Sequence, residues 1–299
     1  MKVKTSDEIA GAIHFDKPIV ALESTVIAHG LPYPKNVETA VKMEEAVRKH
    51  GAVPATIAIF DGEICVGITH DQIERLATEK DVRKISRRDM SVAIAKQLTG
   101  ATTVATTSFI AHAVGIKVFA TGGIGGVHRG HASDVSADLP ELARTPMIVV
   151  CSGAKSVLDL EATREWLETH GVTVLGWKCD EVPAFYSRTS GMPVDERVES
   201  AREVADIASA SRNDLDMRSA VVLAVPVPQE FEIGTDEIED LMSEALSSAI
   251  EQKITGKAVT PFLLSQLSQR SGGRTLAANI ALLENNALVA AEVARALNY

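Results

Sequence analysis

Short apolar, β-branched runs alternate with amphipathic stretches of helical period along nearly all of this chain, and that alternation constrains the fold more than any other feature. Residues 19–22, 55–60, 63–68, 102–106, 116–120, 172–176 and 221–225, with the run in MIVVC, read as strands. Between them, residues 37–50, 71–80, 196–211 and 236–254 have helical patterns, and residues 260–269 and 274–297 continue them, parted by a Ser-Gly-Gly break. Strands that regularly alternate with helices predict an α/β fold: a three-layer α/β/α sandwich with a mixed, largely parallel central sheet. Asp61 and Gly62, between two β-rich runs, are a two-residue hairpin signal and predict one antiparallel ribbon in that sheet. No Pro, Gly and Ser-rich linker divides the chain, so residues 1–299 are expected to form one domain.

Composition narrows the function classes. Thirty Lys and Arg against forty Asp and Glu leave a net charge of −10, which repels phosphate backbones and argues against a nucleic-acid partner. A phosphorylated ligand must then be small and held by a local cluster of cations. Cys65, Cys151 and Cys179 are odd in number and in no CxxC pattern, so neither a disulfide framework nor a zinc site is expected and a cytoplasmic location fits. No run reaches the roughly 18 apolar residues of a membrane span, and no secretory signal is expected at the N-terminus.

The densest chemistry lies in ATGGIGGVHRGHASDVSAD, residues 120–138, which holds five glycines, two histidines, an arginine and two aspartates. Each glycine in regular structure costs roughly 0.5–1 kcal/mol relative to alanine, so this stretch is expected to line a site, using positive φ or close backbone approach. The bland alternative is a mobile surface loop.

Four further places bear polar groups, three of them at expected strand ends. Glu23 follows the run 19–22, at the edge of an α/β sheet where ligands bind. In KISRRD, Ser86 and Asp89 have capping-box spacing, while Lys84, Arg87 and Arg88 crowd a helix N-terminus and require an anion: Asp89, Asp81 or a ligand phosphate. Thr107 and Ser108 are placed to cap a helix over 109–114, a geometry that makes a phosphate cradle and also caps helices that bind nothing. Lys155 follows Ser152 and Gly153, with Ser156 as the expected helix cap; it is either a phosphate ligand or, if desolvated, a nucleophile toward a carbonyl. Asn279, Asn285 and Asn286 interrupt the apolar face of the last helix, and such amides are most often satisfied structural groups.

The segments ALESTVIAHGLPYP, KISRRD, TTVATT, FATGGIGGVHRG, DVSADL, VCSGAKSVLDL, PAFY and SGGRTLAANIALLENNA together resemble the pseudouridine-5'-phosphate glycosidase family, also called indigoidine synthase A-like. The resemblance implies reversible cleavage of the C-glycosidic bond between uracil and ribose 5-phosphate, with one divalent ion, Mn2+ or else Mg2+, in a homotrimer. It implies Lys155 as the amine that forms an imine with the anomeric carbon and Glu23 as the proton donor of ring opening. It also implies substrate contacts at Lys84, Val104, Ser136, Ala137 and Asp138, pocket positions for His128 and Asn279, and Asp134 as metal ligand with Asp138 the runner-up. A C-glycosidic bond has no heteroatom leaving group, so the paired-carboxylate route used on O-glycosides has little leverage, and a lysine imine supplies an electron sink. Two competing readings remain: an N-glycosidase or other sugar-phosphate enzyme in which Lys155 acts only electrostatically, and a nucleotide-sugar binding protein without turnover.

Overall fold

The computed structural model describes residues 1–254 and 259–297, apart from the side chains of residues 131, 132, 260 and 261. The strands are β1 (Val3–Thr5), β2 (Ile19–Leu22), β3 (Val53–Phe60), β4 (Glu63–Val66), β5 (Arg83–Ile85), β6 (Gly100–Thr102), β7 (Val118–Ala120), β8 (Val127–His128), β9 (His131–Val135), β10 (Ile148–Cys151), β11 (Leu158–Asp159), β12 (Thr173–Trp177), β13 (Glu196–Val198) and β14 (Val221–Ala224). The helices are α1 (Asp7–His14), α2 (Lys35–Lys49), α3 (His70–Thr78), α4 (Met90–Ala95), α5 (Val104–Ala113), α6 (Asp138–Leu142), α7 (Leu160–Thr169), α8 (Ala201–Ser209), α9 (Thr235–Glu251), α10 (Val259–Arg270) and α11 (Arg274–Ala296).

Nine strands run in the order β1-β4-β3-β2-β7-β10-β14-β12-β13, with β6 on β3 and β5 on β6 completing an eleven-stranded sheet. Every pairing from β3 through β2, β7, β10, β14 and β12 to β13 is parallel, while β3 pairs antiparallel with β4 and β6. The expected mixed, largely parallel sheet is therefore present. Asp61 and Gly62 both have positive φ, 49° and 80°, as the two-residue turn between β3 and β4 requires. The central strands β2, β10 and β14 are buried at all four positions, because helices cover both faces, and each apolar side chain so removed from water contributes roughly 1.5–3 kcal/mol.

Several local expectations are corrected. The β-branched run after Gly100 is a strand only to Thr102; Thr103 caps α5, its hydroxyl accepting from Thr106 N at 3.4 Å, so Thr107 and Ser108 lie inside that helix instead of capping a later one. Asn36, a residue type favoured as a helix cap and expected from the sequence to cap the helix at 37–50, does not cap α2, which starts at Lys35; its amide donates to Ile27 O at 2.8 Å. Ser156 does not cap α7: Asp159 does, accepting from Ala162 N at 3.0 Å. The 196–211 helix starts only at Ala201, with Ser200 as cap, because Glu196–Val198 is drawn in as the edge strand β13 beside β12. Residues 24–34, read as a loop, contain a π-helical turn at Val26–Gly30. The small antiparallel sheet β11-β8-β9 had no recognisable periodicity, since its strands are two to five residues long.

Candidate active site

Two turns leave the carboxyl ends of adjacent parallel strands and are laced together. From β7 come Thr121, Gly122 and Gly123, and from β10 come Ser152, Gly153 and Lys155. Ser152 N donates to Gly122 O at 2.9 Å, Ile124 N to Gly153 O at 3.1 Å, and Lys155 N to Ile124 O at 3.1 Å. The buried Asn286 of α11 spans both turns, its amide donating to Thr121 O at 2.9 Å and to Ser152 Oγ at 3.1 Å. This asparagine is structural, as the polar-amide rule expects, whereas Asn279, two turns earlier, faces the cavity below.

Glu23 stands at the end of β2, the other neighbour of β7, and is 6% exposed. Thr121 donates its hydroxyl to Glu23 Oε1 in a short hydrogen bond, so the carboxyl group is oriented by the residue that opens the glycine stretch. Glu23, Lys84, Lys155 and Asn279 line one small cavity of about 60 Å³, together with Gly122 and Gly123. A lysine amine and a carboxyl group thus line a partly buried recess with a second cation. That combination can add an amine to a carbonyl carbon and deliver a proton to an oxygen.

Gly122, Gly123, Gly125 and Gly126 act by close approach, since none has positive φ, whereas Gly130 does take positive φ, 73°. A Cβ on Gly123 would stand 2.7 Å from the Phe185 ring, one on Gly125 2.2 Å from Ser136 Oγ, and one on Gly126 2.2 Å from Thr163 Oγ1. Half of the stretch therefore serves packing: Gly122 and Gly123 border the cavity and Gly125 and Gly126 do not.

The other expected site residues lie elsewhere. Val104 is buried at the first turn of α5, and Thr107 Oγ1 donates to Thr102 Oγ1 at 2.9 Å inside the core. Asp138 is 6% exposed and its carboxylate accepts from Ala105 N at 2.9 Å and from Gly125 N at 2.8 Å, so it joins the α5 N-terminus to the glycine stretch. Ser136 Oγ accepts from Asp138 N at 3.2 Å, and Ala137 is exposed at the start of α6. His128 is half-buried on β8, and Asp134 is exposed on β9. Among the described residues no three His, Cys, Asp or Glu side chains come close enough to enclose a metal. A lone exposed carboxylate such as Asp134 fits only a hard divalent ion that keeps most of its waters.

The anion opposite Arg87 is Glu141, which none of the sequence expectations named, whereas Arg88 has the expected Asp89 beside it. Arg87 Nη1 donates to Glu141 Oε1 at 3.1 Å, with Glu141 1% exposed on α6, and Arg87 also stacks on Phe109 at 3.5 Å. Asp89 completes the capping box, accepting from Ser86 N at 3.0 Å, and lies 4.0 Å from Arg88 Nε. Lys84 lines the cavity wall.

His29, on the π-helical turn, also lines the cavity and was overlooked because STVIAHGLPYP reads as an ordinary proline-ended loop. Its Nε2 is buried without a hydrogen-bond partner among the described residues. Burial first, and Lys84 second, hold its pKa below the usual histidine value. Single π-turns are frequent at functional sites, but this one is visible only in the structure; in the sequence, His29 is marked only by its place in the segment ALESTVIAHGLPYP.

An α/β/α scaffold with a lysine and a carboxyl group gathered at the carboxyl edge of a parallel sheet defines a class of small-molecule enzymes. The family described as indigoidine synthase A like protein matches residues 8–296, and this chain belongs to it. The chain is 54% identical to a pseudouridine-5'-phosphate glycosidase of Geobacillus kaustophilus, over 98% of both chains, and 48% identical to that of Staphylococcus aureus, over 99% of this chain and 97% of the relative. Among solved structures, a prealnumycin C-glycosynthase in complex with ribulose 5-phosphate superposes with a TM-score of 0.92 at 41% identity, covering 100% of this chain and 97% of the other. An indigoidine synthase A-like protein of Thermotoga maritima does so with 0.92 at 38% identity and the same coverage.

Proposed function

We propose that this protein cleaves the C-glycosidic bond of pseudouridine 5'-phosphate, reversibly, to uracil and ribose 5-phosphate, with Lys155 as nucleophile and Glu23 as acid. One observation carries the roles: Glu23 and Lys155, 132 positions apart in sequence, line the same recess at the ends of β2 and β10. The near-full-length likeness to glycosidases of that name, and to a C-glycosynthase in complex with a pentulose phosphate, supports the substrate class.

The chemistry follows from the groups present. Glu23 donates its proton to the ring oxygen as the C1'–O4' bond breaks, and Nζ of Lys155 bonds to C1'. The new secondary ammonium passes a proton to the Glu23 carboxylate, and the freed nitrogen lone pair then forms the C=N bond while the C1'–C5 bond breaks and C5 of uracil takes that proton from Glu23. Water adds to the imine, releasing the aldehyde of ribose 5-phosphate and returning the amine. Lys84 and Asn279 are read as substrate contacts in the same recess. Asp134 would hold a hydrated Mn2+ or Mg2+, which supplies positive charge for phosphate or sugar oxygens. Val104, Ser136, Ala137, Asp138 and His128 would contribute only by completing a wider site around the small sheet and the α5 N-terminus.

We also read residues 1–299 as one domain, supported by one hydrophobic cluster that includes side chains from α1 to α11. A homotrimer rests on the family resemblance, which light scattering tests, and a cytoplasmic location rests on the unpaired cysteines. Among the described residues no helix is long and apolar enough to cross a membrane.

The central test pairs pseudouridine 5'-phosphate with uridine 5'-phosphate. Uracil release from the first alone supports the C-glycosidic reading, and release from the second alone defeats it. Borohydride with ribose 5-phosphate should leave a reduced sugar adduct on the Lys155 peptide.

A further inference from the structure

The turn bearing Lys155 is held from two sides. On the upstream side, the backbone bonds to Ile124 bind it to the glycine stretch. Downstream it closes on itself through Leu158 N donating to Lys155 O at 3.0 Å. The carbonyls of this closing segment point to a single side chain. Arg129, in the loop after β8, donates from Nη2 to Ser156 O and from Nε to Leu158 O, each at 3.0 Å. The same guanidinium is gripped by Glu239 of α9, which accepts from Nη1 at 2.7 Å and from Nη2 at 2.8 Å. Four donors in one plane are thus committed, to two backbone carbonyls and one carboxylate. Only the rigid fork of an arginine satisfies such an arrangement; a lysine ammonium reaches a subset of these acceptors and does not fix their directions.

We infer that Arg129 is a positioning residue for Lys155: it immobilises the three residues that follow the lysine and so aims the amine into the recess that holds Glu23. This rests on the reading of Lys155 as the imine-forming group. The guanidinium itself does not line that recess, so its effect must pass through the backbone. Glu239 is the anchor, since without it the guanidinium would be free to follow a drifting turn. Attack on an anomeric carbon demands a close approach of aligned atoms, and a misplacement of about 1 Å costs on the order of a hundredfold in rate. A structural brace with no link to the amine would instead cost stability and leave the covalent step alone.

The test uses the full chain with Arg129→Ala and Arg129→Lys. Wild type and variants are incubated with ribose 5-phosphate and borohydride, the rate of adduct formation on the Lys155 peptide is followed by mass spectrometry, and kcat and KM for pseudouridine 5'-phosphate are measured at 25 °C. The inference expects trapping rate and kcat to fall together by about tenfold or more in Arg129→Ala, KM to change by less than about threefold, and added guanidinium ion to restore part of the trapping rate. Arg129→Lys should show the same split with a smaller loss, and it decides the matter if the alanine variant does not fold. Trapping within about twofold of wild type in a folded variant overturns the inference, whatever the change in melting temperature. A wild-type enzyme that forms no adduct on Lys155 overturns the imine itself, an outcome visible before either variant is made.

Discussion

Replacing Asp138 by alanine separates two roles for this residue, and the structure gives the size of one of them. Its carboxylate accepts from Ala105 N at 2.9 Å and Gly125 N at 2.8 Å, and the residue is 6% exposed. Removal leaves two buried N–H groups unpaired, one at the α5 N-terminus and one in the glycine stretch, at about 1–3 kcal/mol each, or about 2–6 kcal/mol together. At roughly 2 °C per kcal/mol for a chain of this size, the melting temperature should fall by about 4–12 °C. Asp138→Asn should lose about half as much, since one carboxamide oxygen still accepts while its NH2 confronts a donor. Differential scanning fluorimetry and urea unfolding measure both variants; uracil release well below the melting point then isolates any direct substrate role. An Asp138→Ala melting temperature within about 1 °C of wild type would refute the account of Asp138 as a backbone clasp. A stable variant with a raised KM would instead assign the carboxylate to substrate.

Further expectations concern the recess and its frame. Glu23→Gln preserves the hydrogen bond from Thr121 but cannot release a proton as an acid, so kcat should drop by about 10²–10⁴-fold with KM little changed in steady-state assays. Lys155→Ala should abolish both turnover and the borohydride adduct. Asn286→Leu, of similar size, leaves the Thr121 carbonyl and Ser152 hydroxyl unpaired and should cost about 1–3 kcal/mol for each, or about 2–6 kcal/mol together, in urea unfolding. The pKa of His29 is depressed by burial and Lys84, so between its unfolded and folded values the unfolded state binds the extra proton. Stability should therefore decline as pH falls below about 6.5, the ordinary histidine value, until His29 itself protonates in the folded protein. His29→Gln should flatten that part of a melting-temperature profile taken from pH 7.5 to 5, and an unchanged slope would show that other groups cause it.

What the amino-acid sequence determined alone was the layered fold and several signals that act between neighbours along the chain, though not every helix cap. The alternation of apolar runs and helical periods specified the layered α/β fold, Asp61 and Gly62 specified the hairpin, and Ser86 with Asp89 specified a capping box, because each of these signals acts within a few residues. The family motifs likewise marked Glu23, Lys84, Lys155 and Asn279, which do line one recess. Tertiary structure decided what lies across the fold. Thr103 rather than Thr107 became the cap of α5 because burial of the whole segment overrode its β-branched propensity. Glu141 rather than Asp89 or Asp81 became the partner of Arg87, and Gly125 and Gly126 became packing positions because Ser136 and Thr163 come within a Cβ's reach. His29 and Arg129 acquired their surroundings from segments 50 to 110 residues away, such as Lys84 and Glu239. Periodicity reports which face of an element is buried, but not what it is buried against. For that reason the composition of the recess was readable while its geometry was not.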